Sequence, residues 1–105
     1  QVQEIAQGTG SLVVGCGHAG DGNVHLSVFQ GDVATRKDVV GRILRAGADL
    51  GGAVSGEHGI GTAKKGYLAA IEDPGKLDLM RRIKAAFDPA GVLNPGTVFD
   101  LEPLP

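Results

Sequence analysis

Glycine constrains this chain more than any other residue. It fills 18 of 105 positions, where the usual share is about 7%. The glycines gather at 15–22, 51–61 and 91–96. These clusters form neither a repeat nor a linker. Each lies between apolar segments and reads as a turn, so the regular elements must be short and joined by tight reversals. All three histidines fall in two glycine-rich stretches, "GHAGDGNVH" at 17–25 and "SGEHGIG" at 55–61, each with a carboxylate beside them.

Between the glycine clusters the hydrophobic period changes. "SLVVGC" at 11–16 is short and apolar, which predicts a buried strand with Cys16 as a small buried residue. Asp21-Gly22 is a reversal signal. "NVHLSVF" at 23–29 predicts a second strand, with Val24, Leu26 and Val28 on one face and Asn23, His25, Ser27 and Phe29 on the other. From 35 to about 50, Val39, Val40, Ile43, Leu44 and Ala48 recur at helical spacing, and Gly51 is a natural stop. Positions 53–55 offer a short extended piece, and 62–70 a short helix with Lys64 and Lys65 as exposed lysines. Asp73 and Pro74 suit the N-cap and first position of a further helix. Its expected buried stripe is Leu77, Met80, Ile83 and Phe87, ending near 88–89 and followed by an extended arm. This order implies an α+β fold, a small antiparallel sheet with helices on one face. Two or three strands make a poor sheet. Together with a first residue that is Gln rather than Met, this reads as a piece of a longer protein.

Composition narrows the function classes. Hydrophobic residues make up 42% and aromatics 4%, with no Trp, so the core must be aliphatic. A net charge of −2 gives no electrostatic reason for a nucleic acid or an anionic membrane as partner. No apolar run approaches the ~20 residues of a membrane span, and no secretory pattern is visible. The single cysteine rules out an intramolecular disulfide and suits a reducing, cytoplasmic setting.

His18, His25 and Glu57 have the chemistry of a divalent-metal site with an open position. Spacing alone leaves this undecided. Seven residues along one strand would put His18 and His25 on opposite faces, whereas the turn at 19–22 breaks that parity. Asp21 and Asn23 also serve as turn residues that bond their own backbone. Gly56, Gly59 and Gly61 around Glu57-His58 permit unusual backbone angles and close approach of a ligand. Neither "GIG" nor "GTGSLVVG" is a nucleotide fingerprint, since the required strand, helix or Gly-Lys-Ser/Thr context is missing.

Three segments in order, "GHAGDGNVH", "SGEHGIGTAKKGYL" and "IKAAFDPAGVLNPG", resemble the C-terminal part of FAD-linked oxidases, over about residues 11–99. The relevant branch holds D-lactate dehydrogenases, the FAD-binding glycolate oxidase subunit and D-2-hydroxyglutarate dehydrogenases. The resemblance implies that residues 1–105 belong to a ferredoxin-like substrate-cap domain, and that an FAD-binding domain of the same parent chain is the partner. It implies hydride transfer to flavin from a small D-2-hydroxy acid, giving the 2-oxo acid. It further implies His18, His25 and Glu57 as ligands of a divalent metal such as zinc, His58 as general base, Asn23 near substrate and Asn94 on the loop that returns to FAD. An imidazole suits the base role, because the hydroxyl proton must leave as the hydride does. One departure is Thr97, where many relatives carry Lys after "NPG".

Two readings from other classes stand beside the enzyme. One is a non-catalytic metal- or ligand-binding α+β module. The other is a purely structural domain whose glycines serve turns only. On the enzyme reading this chain alone is inactive. Its surface for the missing domain is then exposed, so it self-associates. The parent is expected in the cytoplasm, or peripheral to a membrane through its electron acceptor.

Overall fold

In the computed structural model residues 1–100 are described. The element order is α1 (Val2–Thr9), β1 (Leu12–His18), a 3-10 turn (Ala19–Asp21), β2 (Asn23–Phe29), α2 (Val33–Asp49), α3 (Lys65–Ile71) and α4 (Pro74–Phe87). The chain divides into two compact units at the Gly56–Glu57 peptide bond. The fold is α+β, as expected, with one two-stranded antiparallel sheet among the described residues.

The first unit is built on the β1–β2 hairpin. Its register pairs Leu12 with Phe29, Cys16 with His25 and His18 with Asn23. Gly22 closes the connection at φ 70°, a left-handed conformation that suits glycine. Gly15 and Gly17 let the strands run close. A Cβ at Gly15 would lie 2.8 Å from the His25 carbonyl oxygen, and one at Gly17 would lie 3.1 Å from Val24 Cα. At the open end of the hairpin, the Gln30 amide donates to the Thr9 carbonyl and to Ser11 Oγ. The amphipathic α1 and α2 pack on each other and on the strands beside them. Ile5, Val39 and Val54 form the buried apolar core of this unit.

Several expectations are corrected here. Residues 2–9 form a helix that the sequence reading lacked, ended by Gly10 at φ 62°. The second helix starts before Thr35, because Asp32 caps it by accepting from both the Thr35 N–H and hydroxyl at 2.7 Å. β1 is not a buried strand: Leu12 is 60% exposed, and Val14 and Cys16 are also exposed. On the other face, Val28 is half-buried but Val24 and Leu26 are exposed. A sheet of two strands leaves backbone edges and side-chain surface that no further strand among the described residues covers. No strand forms at 53–55.

The second unit holds α3 and α4. Asp73 caps α4 by accepting from the Lys76 N–H at 3.0 Å, with Pro74 in the first turn, as its sequence predicts. The buried stripe differs from the one expected. Leu77 is buried and Met80 half-buried, but Ile83 and Phe87 are exposed, Phe87 at 83%. The inward face instead runs Leu77, Arg81, Lys84 and Asp88, with the long stems of Arg81 and Lys84 half-buried. Stems of this kind cover apolar surface, and the Lys84 head finds polar partners in Asp88 and the Leu93 carbonyl. Leu68 of α3 supplies the other buried apolar residue.

Candidate functional site

Residues directly opposed in an antiparallel pair share a face of the sheet. His18 is opposed by Asn23, and Cys16 by His25. His18 and His25 are therefore diagonal neighbours on one face, within reach for large side chains. Their ring centroids lie 5.4 Å apart with the planes at 71°. The turn at 19–22 has restored the parity that a single strand would have denied.

Glycine also allows a close approach beside Asn23. A Cβ at Gly56 would lie 2.7 Å from Asn23 Oδ1, so the backbone passes against the Asn23 side chain where a substituent would displace its amide. Glu57 is the next residue, one peptide bond from this contact. One ligand atom from each of His18, His25 and Glu57 lies within 4.8 Å of the other two. Donors about 2.0–2.2 Å from a tetrahedral zinc-type ion sit roughly 3.3–3.6 Å from one another. Rotation of side chains closes that difference, since His18 and Glu57 are exposed and His25 half-buried. Two imidazoles and a carboxylate suit zinc or a neighbouring first-row divalent ion, and three protein donors leave coordination positions for another ligand. Among the described residues this is the one group of three or more His, Cys, Asp or Glu side chains so arranged.

The other named residues sit as follows. Asn23 is half-buried at the start of β2. His58 is exposed, stands outside the three-donor group and is followed by Gly59 at φ 78°. Asn94 is exposed, at φ 48°. Its carbonyl accepts from the Thr97 hydroxyl at 2.8 Å, which closes the turn on Asn94.

Lys64 and Lys65 are half-buried rather than exposed. Lys64 Nζ donates to the Gly59 carbonyl at 3.4 Å. Lys65 Nζ donates to the Gly96 carbonyl at 3.3 Å and pairs with Asp100 at 2.7 Å. Nothing in the local pattern "AKKGYL" signals a bond to a segment 31 residues away. Asp88, read from sequence as a helix end, is a buried carboxylate that accepts from Lys84 Nζ, Val92 N–H and Leu93 N–H. The Lys84 bond above all, then the two N–H groups, hold its carboxyl below the usual aspartate range against the opposing effect of burial.

Residues 1–98 match the family model described as FAD linked oxidases, C-terminal domain. The chain is 54% identical over 95 residues to an uncharacterised FAD-linked oxidoreductase of Mycobacterium tuberculosis, covering 90% of this chain and 21% of that protein. It is 42% identical over 99 residues to a D-lactate dehydrogenase of Archaeoglobus fulgidus (90% and 22%). It is 34% identical over 94 residues to a D-2-hydroxyglutarate dehydrogenase of Stutzerimonas stutzeri (83% and 20%). The chain thus spans about a fifth of the length of these relatives. No solved structure matches it significantly. No helix among the described residues is long and apolar enough to cross a membrane.

Proposed function

The chain belongs to the FAD linked oxidases, as their C-terminal domain, and on that premise we propose that it forms the substrate side of an enzyme oxidising a small D-2-hydroxy acid to the 2-oxo acid. Two similar proteins are named for such substrates, D-lactate and D-2-hydroxyglutarate. The observation that carries the reading is the close grouping of one ligand atom each from His18, His25 and Glu57. A 2-hydroxy acid offers a carboxylate and a neighbouring hydroxyl, which together chelate a cation.

His18, His25 and Glu57 would hold a divalent cation, with zinc suited to the donor types. Such an ion, when bound, supplies charge that orients the acid and stabilises negative charge on its C2 oxygen. Asn23, beside this group, donates or accepts a hydrogen bond to the substrate. His58 accepts the hydroxyl proton. A base so placed contributes typically ~10²–10⁴-fold. The flavin of the parent would supply the redox step, as acceptor of the C2 hydride. Asn94 lies on the segment that meets the flavin. The rest of the parent chain, carrying most of the FAD site, is the partner of this domain, and the chain alone has no turnover.

Elemental analysis of the tag-free parent, beside its His25→Ala variant, tests the site. Near-stoichiometric divalent metal in the parent, lost together with activity in the variant, is the expected result. An active parent without metal would overturn the metal assignment and leave these residues binding substrate directly. Unchanged activity in His58→Ala would remove the base from the scheme.

A further inference from the structure

We infer that Lys65 and Lys84 are positioning residues, which grip the backbone on either side of Asn94 and hold it in its left-handed conformation. The inference rests on the proposed role of Asn94 toward flavin. Its structural part stands on the geometry of the second unit alone.

Nine described residues have positive φ, and seven of them are glycine. The two exceptions, Asn94 at 48° and Val98 at 66°, lie within one five-residue stretch. Asparagine tolerates the left-handed region better than most residues, and a β-branched residue tolerates it poorly. Where glycine is absent, the surroundings must impose the conformation, and such imposed backbone gathers at ligand sites.

The imposing groups are visible on both sides. Before Asn94, the Leu93 carbonyl accepts from Lys84 Nζ at 2.6 Å, and the Leu93 N–H donates to Asp88 at 2.9 Å. Lys84 and Asp88 are themselves paired at 2.6 Å, with the Asp88 carboxylate buried. After Asn94, the Gly96 carbonyl accepts from Lys65 Nζ at 3.3 Å. The Thr97 hydroxyl returns to the Asn94 carbonyl. Val98 N–H donates to the Gly61 carbonyl at 2.8 Å, and Phe99 N–H to the Thr97 carbonyl at 2.8 Å, closing a three-residue turn around Val98. Arg81 lies over the Phe99 ring, 5.9 Å from its centroid. The carbonyls of Leu93 and Gly96 are thus each held by a lysine from a helix or its start, and Asn94 stands exposed between them. A surface turn with no further task would not need anchoring from two helices. A side chain that must meet a large planar ligand in one orientation would.

The test uses the full-length parent, apo and with FAD. Apo-protein is titrated with FAD by quenching of flavin fluorescence, for wild type, Asn94→Ala, the pair Lys65→Met/Lys84→Met, and the combination of all three. Expected is a tenfold or greater weakening of FAD binding in both the lysine pair and Asn94→Ala, with little further loss when they are combined, since the lysines act through Asn94. Lys65→Arg/Lys84→Arg should restore most of the affinity. A crystal structure of the Lys65→Met/Lys84→Met parent should show Asn94 out of the left-handed region. If Asn94 keeps its φ there, the inference is overturned. If φ changes while Asn94→Ala binds FAD normally, the positioning stands and the cofactor role of Asn94 falls. If the lysine pair does not fold, Lys65→Met alone removes the bond to the Gly96 carbonyl, and an unchanged FAD affinity and Asn94 φ in it would overturn the inference.

Discussion

Replacing Gly15 by alanine tests whether close strand approach underlies the donor face. The new Cβ would lie 2.8 Å from the His25 carbonyl oxygen and 2.5 Å from Leu26 Cδ2. Leu26 is exposed and rotates away at a cost of about 0.5–1 kcal/mol. The carbonyl is backbone and cannot. Reaching ordinary contact near ~3.4 Å means parting the strands by roughly 0.6 Å, which takes a ladder bond of about 2.9 Å to the edge of hydrogen-bond range. Weakening two neighbouring bonds, each worth about 1 kcal/mol, gives a loss of about 1–2 kcal/mol. The lower chain entropy of alanine offsets about 0.5–1 kcal/mol. The net expectation is a destabilisation of about 1–2 kcal/mol, read as a lower urea midpoint with unchanged slope. Gly20→Ala is the control, because a Cβ there meets nothing within 4 Å, and it should change stability by less than about 0.5 kcal/mol. Equal stability of the two variants would refute the claim that β1 needs glycine to pair with β2.

Other consequences are as direct. Gly56→Ala puts a Cβ 2.7 Å from Asn23 Oδ1, so metal affinity should fall about 10–100-fold, as when a supporting contact is lost, while urea stability changes little; an unaltered metal titration would count against the Gly56–Asn23 contact. Asp88→Asn should destabilise the chain above pH ~4. A carboxyl with a depressed folded pKa contributes stability that is full above its unfolded pKa, about 3.9, and lost as pH falls through the folded value. The gap between wild type and Asp88→Asn in urea midpoint should therefore close in acid, and a pH-independent gap would contradict the Lys84–Asp88 account. Leu79, Ile83 and Phe87 form an exposed apolar stripe at four-residue spacing on α4. The isolated chain should therefore self-associate in sedimentation velocity, and Ile83→Glu/Phe87→Glu should shift it toward monomer. A wild-type chain that stays monomeric over a wide concentration range would refute this.

What the sequence made legible follows from how local each signal is. The hairpin could be read because Asp21-Gly22 and the flanking apolar runs act over a few residues, and α4 because Asp73-Pro74 is a local start signal. The first helix could not, since its eight residues bury only Ile5. Burial was the poorest inference. Periodicity identifies an apolar stripe but not whether another element lies against it. On α4 the inward positions went to Arg81, Lys84 and Asp88, whose charges are visible in sequence but whose buried partners are not. Cys16 and Leu12 are exposed for the same reason: an apolar strand is buried only when something covers it.

The donor set was legible as chemistry and not as geometry, and the hairpin explains the difference. Whether His18 and His25 share a face depends on a register that pairs Cys16 with His25 and His18 with Asn23. A shift of one residue would send one imidazole to the opposite side. That register is held where the strands close, by the 3-10 turn ending in Gly22, and at the open end by Gln30 on Thr9 and Ser11. The two nitrogen donors are therefore fixed by strand pairing. The carboxylate depends instead on a glycine-rich loop threading past Asn23. The loop that carries Glu57 also carries His58, so on the proposed reading one short stretch of backbone would serve both the cation and the base. Orientation of the acid and removal of its proton would then depend on the same few residues of backbone, which is a physical reason for glycine to crowd around Glu57 and His58.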